Sequence, residues 1–244
     1  MGGREWLDDL RVGTVVDFFV SGGDYGEGVD YLPMIRLKQD QTESGLRLPT
    51  YTVSPPLTDS GLAARIAAQP GSLWLVGNEV DRKEFQDDMM PDVYAEAYHE
   101  IYHYIKERDP SAQVAISGLV RISPGRLQYL DIVWDSYKEK FGMEMPVDVW
   151  NMHAYNLAEL QANGADAGAS VALGTNRNLA LIWGPGLIPP GASTEQINQV
   201  CAQENVACIK DEDNFGAFVK QVEDMRRWMK DHGQQNKPLI LSEY

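Results

Sequence analysis

The chain has 244 residues, a length that suits one large domain and barely fits two average ones. Lys plus Arg number 21 against 36 Asp plus Glu, a formal charge of −15, which sets the chain against phosphate backbones and anionic lipid. A composition 43% apolar and 23% charged is that of a soluble globular protein, and no apolar run approaches the roughly eighteen residues of a membrane span.

Met1 to Trp6 carries no apolar core of the kind a secretory leader has. Arg11 to Val20 (RVGTVVDFFV) is rich in β-branched and aromatic residues and predicts a buried strand, followed by a glycine-rich turn over Ser21 to Gly28. Tyr31 to Lys38 (YLPMIRLK) predicts a second strand. The link between the two is too short for a crossover helix, so either the connection is irregular or one strand assignment fails. Gln39 to Pro56 is polar and holds prolines at 49, 55 and 56, which predicts a loop. Asp59 caps a short helix through Leu62, Ala63, Ile66 and Ala67, stopped by Pro70-Gly71. Ser72 to Val76 is a third strand, ending at Gly77-Asn78-Glu79.

Pro91 opens a strong helix at the position where its missing N–H costs nothing. Its apolar stripe is Tyr94, Tyr98, Ile101 and Ile105, and Asp109-Pro110 stops it. Gln113 to Ser117 predicts a strand. Ser123-Pro124 starts a helix with Leu127, Leu130, Trp134, Tyr137 and Phe141 on one face and Gly142 at its end. Val147 to Met152 predicts another strand. Asn156 to Glu212 is far longer than an ordinary βα loop and predicts an insertion with structure of its own. It contains both cysteines, Cys201 and Cys208, which are two ordinary thiols or a local disulfide and too few for a structural zinc site. Trp183, also inside it, is a candidate for stacking on a sugar ring or for ordinary loop packing. Asn214 caps a helix carrying Phe215, Phe218, Val219, Val222, Met225 and Trp228, and Leu239 to Leu241 leads to Ser242-Glu243-Tyr244. No internal repeat is present.

Short apolar runs alternating with amphipathic helices predict an α/β fold. Three strands end in polar groups: Asn78-Glu79, His153-Ala154-Tyr155 and Ser242-Glu243. In a parallel sheet or barrel all strand C-termini lie on one face, so two carboxylates, an amide, an imidazole and a phenol converge there. Two carboxylates so placed are what glycoside hydrolysis requires.

Leu73-Trp74-Leu75-Val76-Gly77-Asn78-Glu79-Val80-Asp81 resembles the strand-four motif of the clan A superfamily of retaining glycoside hydrolases, which fold as (β/α)8 barrels. Asp148-Val149-Trp150-Asn151-Met152-His153-Ala154-Tyr155 resembles its strand six, and Lys237-Pro238-Leu239-Ile240-Leu241-Ser242-Glu243-Tyr244 its strand seven. Tyr31 to Arg36 is similar to an early strand in some of these families. Val80 stands where the superfamily often has Pro, and the insertion widens the gap between strands six and seven.

The resemblance implies an incomplete (β/α)8 TIM barrel, with strand eight missing and an early strand or helix as a second gap. It implies double displacement on a β-linked oligo- or polysaccharide, with Glu243 as nucleophile and Glu79 as acid/base, its pKa raised by ionised Glu243. Asn78 would bond the sugar 2-hydroxyl, His153 and Tyr155 would line the subsite, Tyr155 would orient Glu243, and Arg36 would hold Glu243 ionised. No cofactor or metal is implied, and an extracellular or periplasmic home follows from the substrate class.

Two other readings compete. His99-Glu100-Ile101-Tyr102-His103 matches the H-E-x-x-H zinc-protease signature, with no evident third ligand beyond His153 or His232. A barrel of this kind could also bind carbohydrate without turning it over.

Overall fold

A computed structural model describes Asp9 and residues 11–22, 25–26, 28–208 and 214–244. Met1 to Trp6, part of the Ser21–Gly28 turn and the end of the predicted insertion lie outside the described residues.

The frame is a mixed α/β fold on a parallel sheet. Strand β1 (Thr14–Asp17) pairs with β2 (Asp30–Gln41), and β2 with β4 (Leu73–Asn78), which lies beside β5 (Gln113–Gly118). A parallel bridge from Ala115 to Val149 leads to β6 (Trp150–His153), which pairs with β9 (Leu239–Glu243). Six parallel strands thus run in the spatial order β1, β2, β4, β5, β6, β9. Among the described residues no pairing joins β9 back to β1, so the sheet is an open arc and a closed barrel is not formed.

Side chains alternate across this arc with the period of two that a strand imposes. Met34, Leu75, Ala115 and Val149, with Val16, Leu73 and Ile240, gather on one face as a small inner cluster. Their neighbours Ile35, Trp74, Val76, Ile116, Trp150 and Met152 point the other way, into the main core beneath the helices. Trp74 and Trp150 are wholly enclosed there. Removing such large apolar side chains from water is the main stabilising contribution of the outer layer.

Strand β1 is shorter than the predicted Arg11–Val20 and is not buried as expected: Thr14 is exposed, Val15 to Asp17 are half-buried, and Phe18 and Phe19 beyond it are exposed. The Asp17 carboxylate accepts from Phe19 N, Ser21 N, Ser21 Oγ and Tyr31 Oη, which turns the chain away from the ladder. Both predicted strands exist, so the irregular connection is the correct alternative. The predicted loop over Gln39 to Pro56 is a correction. Strand β2 continues to Gln41 and β3 (Arg47–Ser54) folds back antiparallel on it, Leu37 opposite Val53. Pro49 sits where the register shifts, on an edge strand, where a missing N–H is tolerated. Tyr51 and Val53 pack against the core and the tight turn uses Gly45 at φ 81°.

The helices follow their caps. In α1 (Ser60–Ala68) the Asp59 carboxylate accepts from Gly61 N. Helix α2 (Pro91–Arg108) starts on Pro91, and α3 (Pro124–Phe141) starts on Ser123 and ends at left-handed Gly142. The insertion carries α4 (Thr194–Cys201) and the short strands β7 (Ile182–Trp183) and β8 (Val206–Ala207). A Cys201–Cys208 disulfide closes it, resolving the two alternatives for those thiols. Trp183 packs with Ala158, Leu181 and Ala207 in the insertion's own small core, so loop packing is its role. Helix α5 (Phe215–Asp231) is capped by Asn214 and returns the chain to β9.

One buried ionic group fastens the insertion to the frame. Arg126, fully enclosed in α3, pairs with Asp81 through Nε at 2.9 Å and with Glu159 through Nη1. It also donates to the Ala169 and Ser170 carbonyls, while Glu159 accepts from Leu181 N and Ser123 Oγ.

Candidate active site

The site lies at the C-terminal ends of β4, β6 and β9. Strand β4 stops in an unusual way. Gly77 and Glu79 both take left-handed backbone conformations, φ 86° and 43°, on either side of Asn78. For a side chain as large as Glu this conformation costs on the order of 1 kcal/mol and is retained where surrounding contacts fix it. Those contacts are present: Glu79 N donates to Gly118 O, Asn78 N to Asp87 Oδ2, and Arg82 N back to Glu79 O. The result is a tight turn that places the Glu79 carboxylate, 2% exposed, over the strand ends.

His153, at the end of β6, is fully buried between two carboxylates. Its Nδ1 lies 3.4 Å from Glu79 Oε1 and its Nε2 lies 3.5 Å from Glu243 Oε1. The other oxygen of each carboxylate is held by a separate donor. Arg82 Nη1 donates to Glu79 Oε2 at 2.9 Å, and Tyr155 Oη donates to Glu243 Oε2 at 2.9 Å. Glu243 Oε1 accepts no hydrogen bond from the described residues. Carboxylate and ring-nitrogen atoms of Glu79, His153 and Glu243 come within 4.8 Å of one another. Any cation lodged among them would fill the space between the two carboxylates.

Burial opposes ionisation of Glu79, but hydrogen bonds from His153 and Arg82, with their charge, outweigh it and hold the carboxyl below its ordinary range. This corrects the expectation that Glu243 raises it: the imidazole of His153 first, and then the Arg82 guanidinium, lower it. Burial and then the bond to Glu243 push the Tyr155 phenol up to about 12, so it stays a donor at neutral pH.

The Asn78 amide is 1% exposed, and neither its oxygen nor its nitrogen has a partner among the described residues. A buried amide left open on both atoms is what a polar ligand would satisfy.

No protein-family model matches the chain, and no curated protein matches it. Among solved structures it is similar to a GH128 (subgroup II) endo-beta-1,3-glucanase from Sorangium cellulosum, at 14% identity and a TM-score of 0.42, over 99% of this chain and 84% of that one. A likeness so distant carries nothing about residues or substrate, and the site stands on its own geometry.

The structure brings Glu79, His153, Tyr155 and Glu243 together, with Asn78 beside Glu79 in the same turn. It places Arg36 elsewhere. Arg36 Nε donates to Asp87 Oδ1 at 2.6 Å and Nη2 to Gln86 Oε1 at 3.0 Å, so this guanidinium is engaged with the loop after β4 and not with Glu243. His99 and His103 lie on α2, away from the strand ends. The His99 ring stacks on Phe141 at 3.7 Å and its Nδ1 meets Tyr137 Oη, while Glu100 accepts from Tyr51 Oη. No third ligating group joins this pair among the described residues, so the H-E-x-x-H match reads as helix-packing aromatics.

Three residues of the site escape the sequence reading. Arg82 touches Glu79 directly. Asn151 accepts from Ser242 Oγ and links β6 to β9. Gly118 makes room for His153: a Cβ there would lie 2.3 Å from the imidazole Nε2. A glycine closing a strand pattern is the only local hint of that close approach.

Proposed function

We propose that this protein is a retaining glycoside hydrolase of the clan A type, acting on a β-linked oligo- or polysaccharide, and that its open arc of parallel strands is part of a (β/α)8 barrel. The inner cluster of apolar side chains on one face of these strands agrees with the side-chain-filled interior of such a barrel. One observation carries the activity. Two glutamates from different strand ends face one buried imidazole, with their closest atoms within 4.8 Å. Retaining enzymes keep their carboxyl groups about 5–5.5 Å apart and inverting ones about 6.5–9.5 Å, and an approach of nearest atoms, rather than of carboxyl centres, within 4.8 Å favours the closer pair.

The chemistry follows from which oxygens are free. Tyr155 holds Glu243 Oε2, while Oε1, buried beside His153 Nε2, accepts no hydrogen bond from the described residues and is the oxygen that would attack the anomeric carbon of a sugar admitted to the site. The bond from that carbon to the leaving oxygen breaks as protonated Glu79 gives the oxygen its proton. Glu79, now a carboxylate, takes a proton from water, which displaces Glu243 and regenerates the acid. The open Asn78 amide receives the sugar 2-hydroxyl, a contact that strengthens at the transition state. The disulfide fits an oxidising compartment, consistent with an extracellular or periplasmic enzyme meeting polymeric glycans.

The test is trapping of the glycosyl-enzyme. Incubation with a panel of 2-deoxy-2-fluoro glycosides bearing activated leaving groups is expected to add one sugar to Glu243, read by mass spectrometry of the digested protein. Glu243→Ala should take no label, and Glu79→Ala should turn over activated aryl glycosides with azide as the external nucleophile. Sugar binding with neither labelling nor turnover would establish a carbohydrate-binding barrel instead.

A further inference from the structure

Arg82 lies three residues after Glu79 and is held at several points. Its Nη1 donates to Glu79 Oε2 at 2.9 Å and its Nη2 to the Gly168 carbonyl at 2.8 Å, within the insertion. The exposed Phe85 ring covers the guanidinium at 4.7 Å. Its backbone is paired too: Arg82 bridges to Ala172, and Leu173 N donates to Asp81 O. Asp81 in turn meets Arg126, which binds the carbonyls of Ala169 and Ser170. The turn bearing Glu79 is therefore fastened to one face of the insertion, from Gly168 to Leu173.

We propose that Arg82 is a positioning residue that decides which oxygen of Glu79 carries the catalytic proton, and that the insertion is the support that keeps it there. This rests on the hydrolase reading above. A guanidinium has five donors and no acceptor. Its charged N–H donates best to a carboxylate or carbonyl oxygen, so when Glu79 is protonated, Oε2 remains the carbonyl oxygen. The proton then sits on Oε1, the oxygen that faces His153 and the gap towards Glu243. Without Arg82, Oε2 loses its donor while Oε1 keeps its contact with His153 Nδ1, and the carboxyl is free to carry its proton on Oε2, away from the substrate.

Other titratable groups face Glu79: His153 from β6, Glu243 from β9, Asp81 from the same turn, and the Tyr155 phenol beyond. Arg82 is distinguished among them by fixing Oε2, and the depressed pKa of Glu79 agrees with that contact.

The experiment compares Arg82→Gln and Arg82→Lys with the unaltered protein on aryl glycosides of graded leaving-group ability. A poor leaving group needs the acid and a good one does not. Arg82→Gln is expected to lower kcat/KM about 10²-fold for poor leaving groups and only a few-fold for activated ones, with Arg82→Lys in between. An equal loss on both, or no loss, overturns the proposal. A second measurement needs no turnover. The NMR titration of the Glu79 carboxyl, identified by its absence in Glu79→Gln, should move to higher pH in Arg82→Gln, and an unmoved midpoint overturns the proposal. If the protein hydrolyses no glycoside, the hydrolase reading fails, and this titration still shows whether Arg82 governs Glu79.

Discussion

The Tyr155 hydroxyl lies 2.9 Å from Glu243 Oε2, and Glu243 Oε1 accepts no hydrogen bond from the described residues. The two oxygens of one carboxylate are thereby given different work, one held and one free to attack. Tyr155→Phe removes the holding bond and keeps the ring. Loss of a hydrogen bond to a charged group is worth about 1.5–3 kcal/mol, so kcat should fall roughly 10- to 10²-fold. KM should change little, since the phenol touches the nucleophile. Steady-state kinetics of the pair checks this, and a rise in KM at constant kcat would make Tyr155 a plain binding residue.

Glu79 sets a second expectation, on pH. Its carboxyl is held below the ordinary range, so in the resting protein it is ionised at neutral pH. The acid role needs its proton, and that proton is lost as pH rises through the depressed value. The profile of kcat/KM should therefore peak in acid and decline towards neutrality. Stability moves the other way. A depressed carboxylate stabilises the fold fully above its unfolded pKa, and that contribution disappears as pH falls through the folded one. The melting temperature should drop in the same acid range where activity is highest. A basic limb above neutrality contradicts this assignment.

Much of this site is legible in the sequence because its residues directly follow apolar runs. Asn78-Glu79, His153-Ala154-Tyr155 and Ser242-Glu243 each end a strand, and a parallel sheet brings such ends together. What fails to show is what depends on distant partners. Arg36 follows an apolar run as the others do, yet its partner Asp87 is fifty-one residues away and reached through a loop. Arg82 reads as a loop residue, since nothing local reveals that Gly168 O holds it. The β2–β3 hairpin is hidden by its prolines, which signal a loop unless the strand is known to lie at an edge.

Gly118 offers a test of how tightly the imidazole is held. A Cβ at this position would sit 2.3 Å from His153 Nε2 and 2.4 Å from Cδ2, and 3.2 Å from Asn151 Nδ2. The ring is buried, so Gly118→Ala must displace it from both carboxylates. A displacement of about 1 Å at a reacting centre can cost 10²-fold, and a loss of about that size in kcat/KM is expected with the fold retained. His153→Ala removes the obstructed ring. Adding Gly118→Ala to it should then cost nothing further, and a full additional loss in the double variant would show that Gly118 acts on something other than His153.

Arg126 carries the final expectation, on stability. Its side chain, that of Asp81 and that of Glu159 are at most 1% exposed; Arg126 is the cation that touches both carboxylates, with the buried Arg121 adding its field at Glu159. Taking such charges out of water is costly, and their pairing offsets it only while every partner is present. Arg126→Met fills much of the volume but takes the touching cation from both Asp81 and Glu159, leaving only the more distant Arg121 for Glu159. Removing one member of a buried ion pair typically costs about 3–5 kcal/mol, and a loss of that order should appear in urea unfolding. The triple variant with Asp81→Asn and Glu159→Gln takes away the stranded charges, so it should recover part of the loss. If it is no better than Arg126→Met alone, the cost lies in the hydrogen bonds to the Ala169 and Ser170 carbonyls, and the network serves to hold the insertion more than to balance charge.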